Sequence, residues 1–562
     1  MKSKLINLGL SISCLMFLCY PDLFAADYFV SPSGSDTTGV GTLVNPWRTI
    51  EFALENVFPG DVLFLREGVY NEQLISVRSG EMNNYITISA YNNENAIIDG
   101  TSVVTGNNGA IISHSYLKFV GFTIRNWADA GMEIFNCEFI ELINLKITAV
   151  TGGIHLTGTT HDFIVDSCIM YDYYGGAGGF GFDATPEGVS DSISNGIIKN
   201  SKAYLNIPAF DNCDGFALGH DGVSKIQFYN CEVSGVGDAF DISGKDIVLE
   251  RCSAHGSTYG GGYKLWRDNV TLINCIGYNN TSNVELDFDS DVSKGVKARL
   301  INCTFFGSTT YNVWIENSAG GSKLEMFNCI LAGGNHTGLN FDGDSISCYT
   351  GDYNLFHMNN PERMIVTSEF DFSFTQVQNG EWAAYSGQDA HSKVDFNSGS
   401  IFMDTLASKP DLHLAQGSLA IDNGINLADS PLFDFDNYSR NIGPIDIGAY
   451  EYGATEPSVI LEDIIKKSVS CYLSQNYPNP FNLSTKIKYT IPASLNLSRG
   501  GTLVTLKIYD ILGNEVAILV NEEKPAGTYE VTLNAANLPS EVYFYKIQAG
   551  DYTAVKKMVL LK

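Results

Sequence analysis

VTLINCIG (Val270–Gly277), ARLINCTF (Ala298–Phe305) and LEMFNCIL (Leu324–Leu331) repeat one phrase in succession. In each, apolar residues alternate with variable ones up to an Asn-Cys pair. Six further segments fit the same frame: LKFVGFTI, IELINLKI, FIVDSCIM, GIIKNSKAY, IQFYNCEV and IVLERCSA. Together they superpose on Phe122, Leu145, Cys168, Ser201, Cys231, Cys252, Cys275, Cys303 and Cys329, at steps of 21 to 33 residues. The residues just before these are Gly121, Asn144, Ser167, Asn200, Asn230, Arg251, Asn274, Asn302 and Asn328. Six of the nine are Asn, so the position has a fixed structural role.

A second strand follows in each unit: GMEIF, GIHLT, GFGFD, GFALG, AFDIS, GYKLW, NVELD, NVWIE and GLNFD. Its second and fourth positions are apolar and its third and fifth mostly polar, the period of a strand with one buried face. Units of this length, built of strands and turns, bury a core only by stacking. The predicted fold class is all-β: a right-handed parallel β-helix followed by a small C-terminal β-sandwich. Inward ladders of Cys and Asn are expected along its axis. The Cys column then acts as a small buried hydrophobe rather than as a disulfide framework, although the chain has 12 Cys.

The 562 residues carry 34 Lys and Arg against 63 Asp and Glu, a formal charge of -29. Such a surface repels nucleic acid and anionic membranes, which excludes both as partners. An acidic substrate would need a local reversal of that field, which a bound cation supplies. Lys2 and Lys4, an apolar run and small residues near Ala25 and Ala26 read as a signal peptide over residues 1–26. No other stretch is long and apolar enough to span a bilayer, so no transmembrane segment is expected in the mature chain, which is read as an exported monomer.

The β-helix is expected over 27–452. A short amphipathic helix from about Trp47 to Val57, followed by PGDVLFL, resembles the capping helix and first coil of secreted β-helix proteins. DLHLAQGSLAIDNGINL and NIGPIDIGAYEY resemble their closing segment. Residues 453–470 read as a linker. From 471 to 562, about seven short strands separated by turn signals suggest a sandwich. Its motifs YPNPF, LKIYDILGNEV, GTYEV and VYFYKI resemble the sorting domain of type IX secretion cargo. That resemblance implies recognition by the type IX machinery and a secreted or cell-surface location.

The second-strand alignment also defines an outward column. It reads Glu133, His155, Gly181, Ala217, Asp241, Lys264, Glu285, Trp314, Asn340. The column before the apolar pair reads Gly178, Asp214, Asp238, Gly261. Coils lie about 4.8 Å apart. Asp214 and Asp238 therefore stack, Asp241 shares a coil with Asp238, and Lys264 lies one coil on. Three such carboxylates repel one another, and Ca²⁺, which takes hard oxygen ligands in loose geometry, resolves the repulsion. A uronic acid sugar has an acidic C–H beside its carboxylate. A cation on that carboxylate and a neutral amine at the C–H would permit β-elimination. Asp241 and Glu285 flank Lys264 and favour its charged form, so the scheme requires the cation to screen Asp241.

DGFA (Asp214–Ala217), DAFD (Asp238–Asp241) and GYKL (Gly262–Leu265) resemble polysaccharide lyase family nine. The resemblance implies a Ca²⁺-dependent lyase of pectate or a related acidic polysaccharide, with Asp214, Asp238 and Asp241 on the metal and Lys264 as base. Where that family carries one more Asp, this chain has Gly237, and Asp211 is the candidate to complete the shell. Trp266 and Trp314 point outward by phase and are candidates for stacking on sugar rings, with Arg267 for a substrate carboxylate.

Other readings remain beside this one. The acids could be a solvated edge, and Lys264 could bridge Asp241 and Glu285 across coils. A β-helix hydrolase of polygalacturonase type would pair Asp residues around a water, but His255, three residues past Cys252, reads as lying on the first strand and away from the second-strand column. A non-catalytic glycan-binding or adhesive rod would use the same solenoid.

Overall fold

The computed structural model describes residues 25–562 except 83, 104–105, 220, 287–294, 317–320, 344–345, 441–442, 455–471, 474–475, 477, 492–501, 512, 525–526 and 550–551. The expected signal peptide (1–26) and linker (453–470) lie almost wholly outside the described residues. The chain divides into two compact units, one up to residue 455 and one from 456.

Among the described residues, the first unit is a parallel β-helix of three sheets, each of thirteen strands. One coil shows the path. Leu117–Val120 lies in the first sheet, Thr123–Arg125 in the third and Ala130–Phe135 in the second. The chain then returns to the first sheet at Glu138–Ile143, in parallel register with Leu117–Val120.

The corner between the first and third sheets explains the Asn column. Gly121, Asn144, Ser167, Asn200, Asn230, Arg251, Asn274, Asn302 and Asn328 all have φ between 51° and 78°. This left-handed conformation favours Gly and Asn, and a corner repeated on every coil selects for them. The amides do not point inward as expected. Asn144, Asn200 and Asn230 are exposed, and Asn230 donates to the Asn200 side chain at 3.0 Å. The ladder residue that does face the core is the next one. Cys231, Cys252, Cys275, Cys303 and Cys329 are buried on successive coils, and the nine described cysteines are all free.

The helix at the N-terminal end spans Ile50–Asn56, shorter than the expected Trp47–Val57. The Thr49 side chain accepts from the Phe52 N–H and starts it there. Trp47 stays outside the helix and stacks on Tyr28 at 5.0 Å. Ile50, Ala53 and Leu54 face the first coils and close the core.

Residues 401–440 and 443–452 lie on the outer face of the third sheet. Ile401, Phe402, Leu412, Ile447 and Tyr450 pack with Ile276, Tyr278, Phe306 and Ile330. Here the Asn column is covered and put to use. Asn274 donates to Phe433 O, Asn302 to Asp446 O and Asn328 to Ile425 O. A buried pair, Arg440 to Glu451 at 2.8 Å, pins the segment, and the guanidinium also donates to Asn274 Oδ1.

The second unit is a β-sandwich. A three-stranded sheet (Tyr472–Leu473, Ser484–Ile491, Gly527–Asn534) and a four-stranded one (Thr502–Tyr509, Glu515–Lys524, Val542–Ala549, Tyr552–Val559) are antiparallel throughout. Ile487, Tyr489, Leu506, Ile508, Tyr545 and Met558 form its core.

Candidate active site

GDAFDI (Gly237–Ile242) places two acids three residues apart around buried residues. Strict alternation would put Asp238 on the same face as Phe240. Instead Ala239 and Phe240 are both fully buried, because the strand enters the second sheet through a tight corner. The neighbouring coils hold Gly at the Ala239 position for the same reason. A Cβ on Gly215 would lie 2.2 Å from Val233, and one on Gly181 2.6 Å from Ala203. Asp238 is fully buried as well, yet its carboxylate meets those of Asp214 and Asp241, so the two acids of this strand share one side.

Inside, an aromatic stack sets the register. Phe216 lies over Phe240 at 5.6 Å, and Phe240 over Tyr263 at 5.1 Å and 6°. That alignment pairs Asp214 with Asp238 and Asp241 with Lys264 across adjacent strands. Ligand oxygens of Asp214, Asp238 and Asp241 all lie within 4.8 Å of one another. Lys264 Nζ sits 3.6 Å from Asp238 Oδ2, with 16% of the lysine side chain exposed and none of the aspartate.

The surroundings hold these groups in place. The Gly261 N–H donates to Asp238 Oδ1 at 2.7 Å. Gly260 leaves the space, since a Cβ there would lie 1.9 Å from that oxygen. The Trp266 indole N–H donates to Asp241 Oδ1, and Lys264 Nζ lies 4.7 Å from the Trp266 ring centroid. Trp266 thus braces the acid and the amine. Burial pushes the Asp214 carboxyl well above the usual range, reinforced by Asp241, Asp238 and Asp183 and opposed by Lys264. Asp214 Oδ1 is buried and has no hydrogen-bond donor among the described residues. A cluster of this donor type with an unsatisfied buried oxygen fits a hard divalent cation.

The other expected residues fall as follows. Gly237 does not leave a gap for a further ligand. A Cβ there would lie 2.7 Å from Asp211 O and Cys213 N, so backbone fills the space. The Asp211 carboxylate is not in the acidic group; it accepts from the Asn212 N–H. Arg267 Nε lies 3.7 Å from Asp221, itself largely exposed. Trp314 follows Glu285 in the outward column and stacks on Tyr311 at 6.1 Å. His255 lies in the third sheet, 3.3 Å from Glu232 and stacked on Tyr278, and does not join the acids.

One coil departs from the expected alignment by two residues. Phe180, not Gly178, pairs with Asp214, and Asp183, not Gly181, pairs with His155 and Ala217. Phe182 takes the inward stacking place, 6.1 Å from Phe216. The outward column therefore contains Asp183, which sequence reasoning missed. His155 Nε2 lies 3.1 Å from its carboxylate. Burial opposes protonation of His155, yet Asp183 and Glu133 hold its pKa above the usual value. Matching Phe182 to Phe216 and Phe240 would have exposed the register.

Residues 28–232 match the family described as Pel9A-like, right handed beta helix region, a span that includes Asp214 and ends before Asp238. Residues 475–561 match the secretion system C-terminal sorting domain, which indicates export to the cell surface or beyond. Over 80 residues the chain is 42% identical to the uncharacterized protein YwoF of Bacillus subtilis (strain 168), covering 14% of this chain and 17% of that one. Over 83 residues it is 35% identical to pectate lyase PEL9 of Emericella nidulans, covering 14% and 20%. The chain thus spans a fifth or less of the length of the curated relatives it matches. The crystal structure of pectate lyase Pel9A is 16% identical, with a TM-score of 0.45, over 76% of this chain and 96% of that one.

Proposed function

We propose that the protein is an exported polysaccharide lyase that cleaves an acidic, uronate-containing glycan such as pectate by β-elimination. The observation that carries this reading is the meeting of three carboxylates and one amine: Asp214, Asp238 and Asp241 within 4.8 Å, and Lys264 3.6 Å from Asp238. The three acids would hold Ca²⁺. Bound there, the ion would neutralise the uronate carboxylate and stabilise the negative charge that develops beside it.

Lys264, in its neutral form, then takes the C5 proton on Nζ. The electron pair left behind forms the C4–C5 double bond as the C4–O bond breaks, and the departing oxygen takes a proton from water. The products are an unsaturated uronate at one new end and a reducing sugar at the other. Trp266 fixes the direction of approach, since its ring lies beside Nζ and its N–H holds Asp241. Arg267 and Trp314 are candidates for contacts to the substrate on this and the following coils.

The close spacing of the acids favours this reading over inverting hydrolysis of the polygalacturonase type. An inverting hydrolase separates its two carboxyl groups by about 6.5–9.5 Å to seat a water between them, whereas these oxygens lie within 4.8 Å. The test is Lys264→Ala in the full chain. Folding should be unchanged by circular dichroism and formation of unsaturated product should fall at least a thousandfold. Residual turnover within tenfold of wild type would remove Lys264 from the role.

A further inference from the structure

Three loops at the leading edge of the second sheet present exposed aromatic rings. Residues 172–179 precede the strand Phe180–Ala184, 205–213 precede Asp214–Leu218, and 256–260 precede Gly261–Leu265. They carry Tyr174, Phe210 and Tyr259, which are 50%, 76% and 62% exposed. The intervening turn, Gly235–Gly237, is short, and its Val236 is buried. Exposed apolar groups scattered singly need no explanation, but a line of rings beside a polar site does.

The loops form one ledge. The Phe210 N–H donates to Gly175 O, the Ala209 N–H to Gly235 O, and Thr258 Oγ1 to Ala209 O. Tyr174 meets Phe210 edge to face at 6.2 Å. The ledge is also anchored to the acids. Tyr173 Oη donates to Asp214 O at 2.9 Å, and the Asp214 N–H donates to Gly179 O at 2.9 Å. Tyr259 lies two residues before Gly261, whose N–H holds Asp238. From the Phe180 coil to the Gly261 coil is three coil steps, about 14 Å.

Charge separates this path from the outward column. Glu133 and Asp183 lie in that column on one side of the acidic group, and Glu285 on the other. An anionic chain laid straight along it would meet Glu133 beyond the His155–Asp183 pair on one side and Glu285 beyond Lys264 on the other. The ledge offers rings instead. Of its two acids, Asp172 accepts from the Asn206 backbone and side chain, and Asp211 from the Asn212 N–H.

We propose that Tyr174, Phe210 and Tyr259 form a stacking platform for the pyranose rings of the substrate glycan, carrying the chain beside the catalytic coil rather than along the acidic column. The C–H faces of the sugars would lie on the aromatic faces, a contact indifferent to the substrate's carboxylates. This inference takes its substrate class from the lyase reading.

The experiment compares wild type with Phe210→Ala, Tyr259→Ala and the double variant, in the full chain with Ca²⁺ and polygalacturonate. KM should rise at least fivefold in the double variant, with kcat within twofold and an unchanged calcium midpoint. Phe210→Tyr should keep the wild-type KM. An unchanged KM in the double variant would overturn the platform. Retardation in native gels containing polygalacturonate separates this inference from the lyase reading. If wild type is retarded without turning the polymer over, loss of retardation in the double variant still supports the platform, and equal retardation overturns it. No retardation of wild type overturns it too, as does a wild-type dimer that the double variant converts to monomer.

Discussion

Replacing Asp214 by Asn tests whether the three acids are held together for a cation. Their oxygens lie within 4.8 Å, so each ionised pair repels by about 3.5 kcal/mol at an effective dielectric constant of 20. Lys264, 3.6 Å from Asp238, returns about 4.6 kcal/mol by the same arithmetic. That offsets about one of the three repulsive pairs. Asp214→Asn keeps the shape of the side chain and removes its part in two pairs. The carboxyl is already pushed well up, so part of the strain is relieved by its own proton, and the gain is smaller than two full pairs. In chelator the variant should therefore unfold at a higher denaturant concentration than wild type, with an unchanged slope. Calcium should shift the comparison toward wild type. At a hundred times its Kd the ion adds about 2.7 kcal/mol to wild type, and most of that increment should vanish in the variant. Urea titrations in chelator and in excess Ca²⁺ read both effects. A variant that is less stable than wild type in chelator, or that gains as much from calcium, would refute the reasoning.

Three further outcomes follow from the packing. Gly237→Asp should destabilise the protein and weaken its calcium response rather than add a ligand, because its Cβ meets the backbone of Asp211 and Cys213 at 2.7 Å; a tighter calcium midpoint would contradict this. Arg440→Met should cost about 3–5 kcal/mol by urea titration, since it strands Glu451 in a pair of which each side chain is only 2% exposed; a loss under 1 kcal/mol would show that the closing segment contributes little. The pKa of His413 is raised to about 9, by Asp436 against burial and with help from Asp411. Its folded value exceeds its unfolded one, so its contribution is complete below about pH 6.5 and fades as pH rises through about 9. Stability between pH 7 and 10 should fall less steeply in His413→Gln, and an identical slope would contradict the assignment.

The repeat was legible because each coil must solve the same two problems. A left-handed corner selects Gly or Asn just before the ladder residue, and a closed interior selects small or apolar groups after it. Those demands left a column of Asn and a column of Cys in the sequence. The inward direction of the amides was misjudged, since the corner that favours Asn also faces it outward. The acids and Lys264 were legible because they lie one residue from the aromatic stack or at a fixed offset from it. Asp183 was missed for a physical reason. A shift of two residues leaves the buried and exposed faces unchanged, and the glycines of GGAGGFGFD accept either register. The filling of the Gly237 space by the chain at Asp211–Cys213 had no sequence signal, because loop backbone has no period. The rings of Tyr174, Phe210 and Tyr259 were hidden in the same way.

The central claim is that the amine and the three acids act together on a uronate. Its most direct measurement follows ultraviolet absorbance while the full chain is incubated with polygalacturonate, in Ca²⁺ and in chelator, beside Lys264→Ala. The account predicts that absorbance from the unsaturated product grows only for wild type in Ca²⁺. New reducing ends without that absorbance, or equal growth in chelator or in Lys264→Ala, would contradict it.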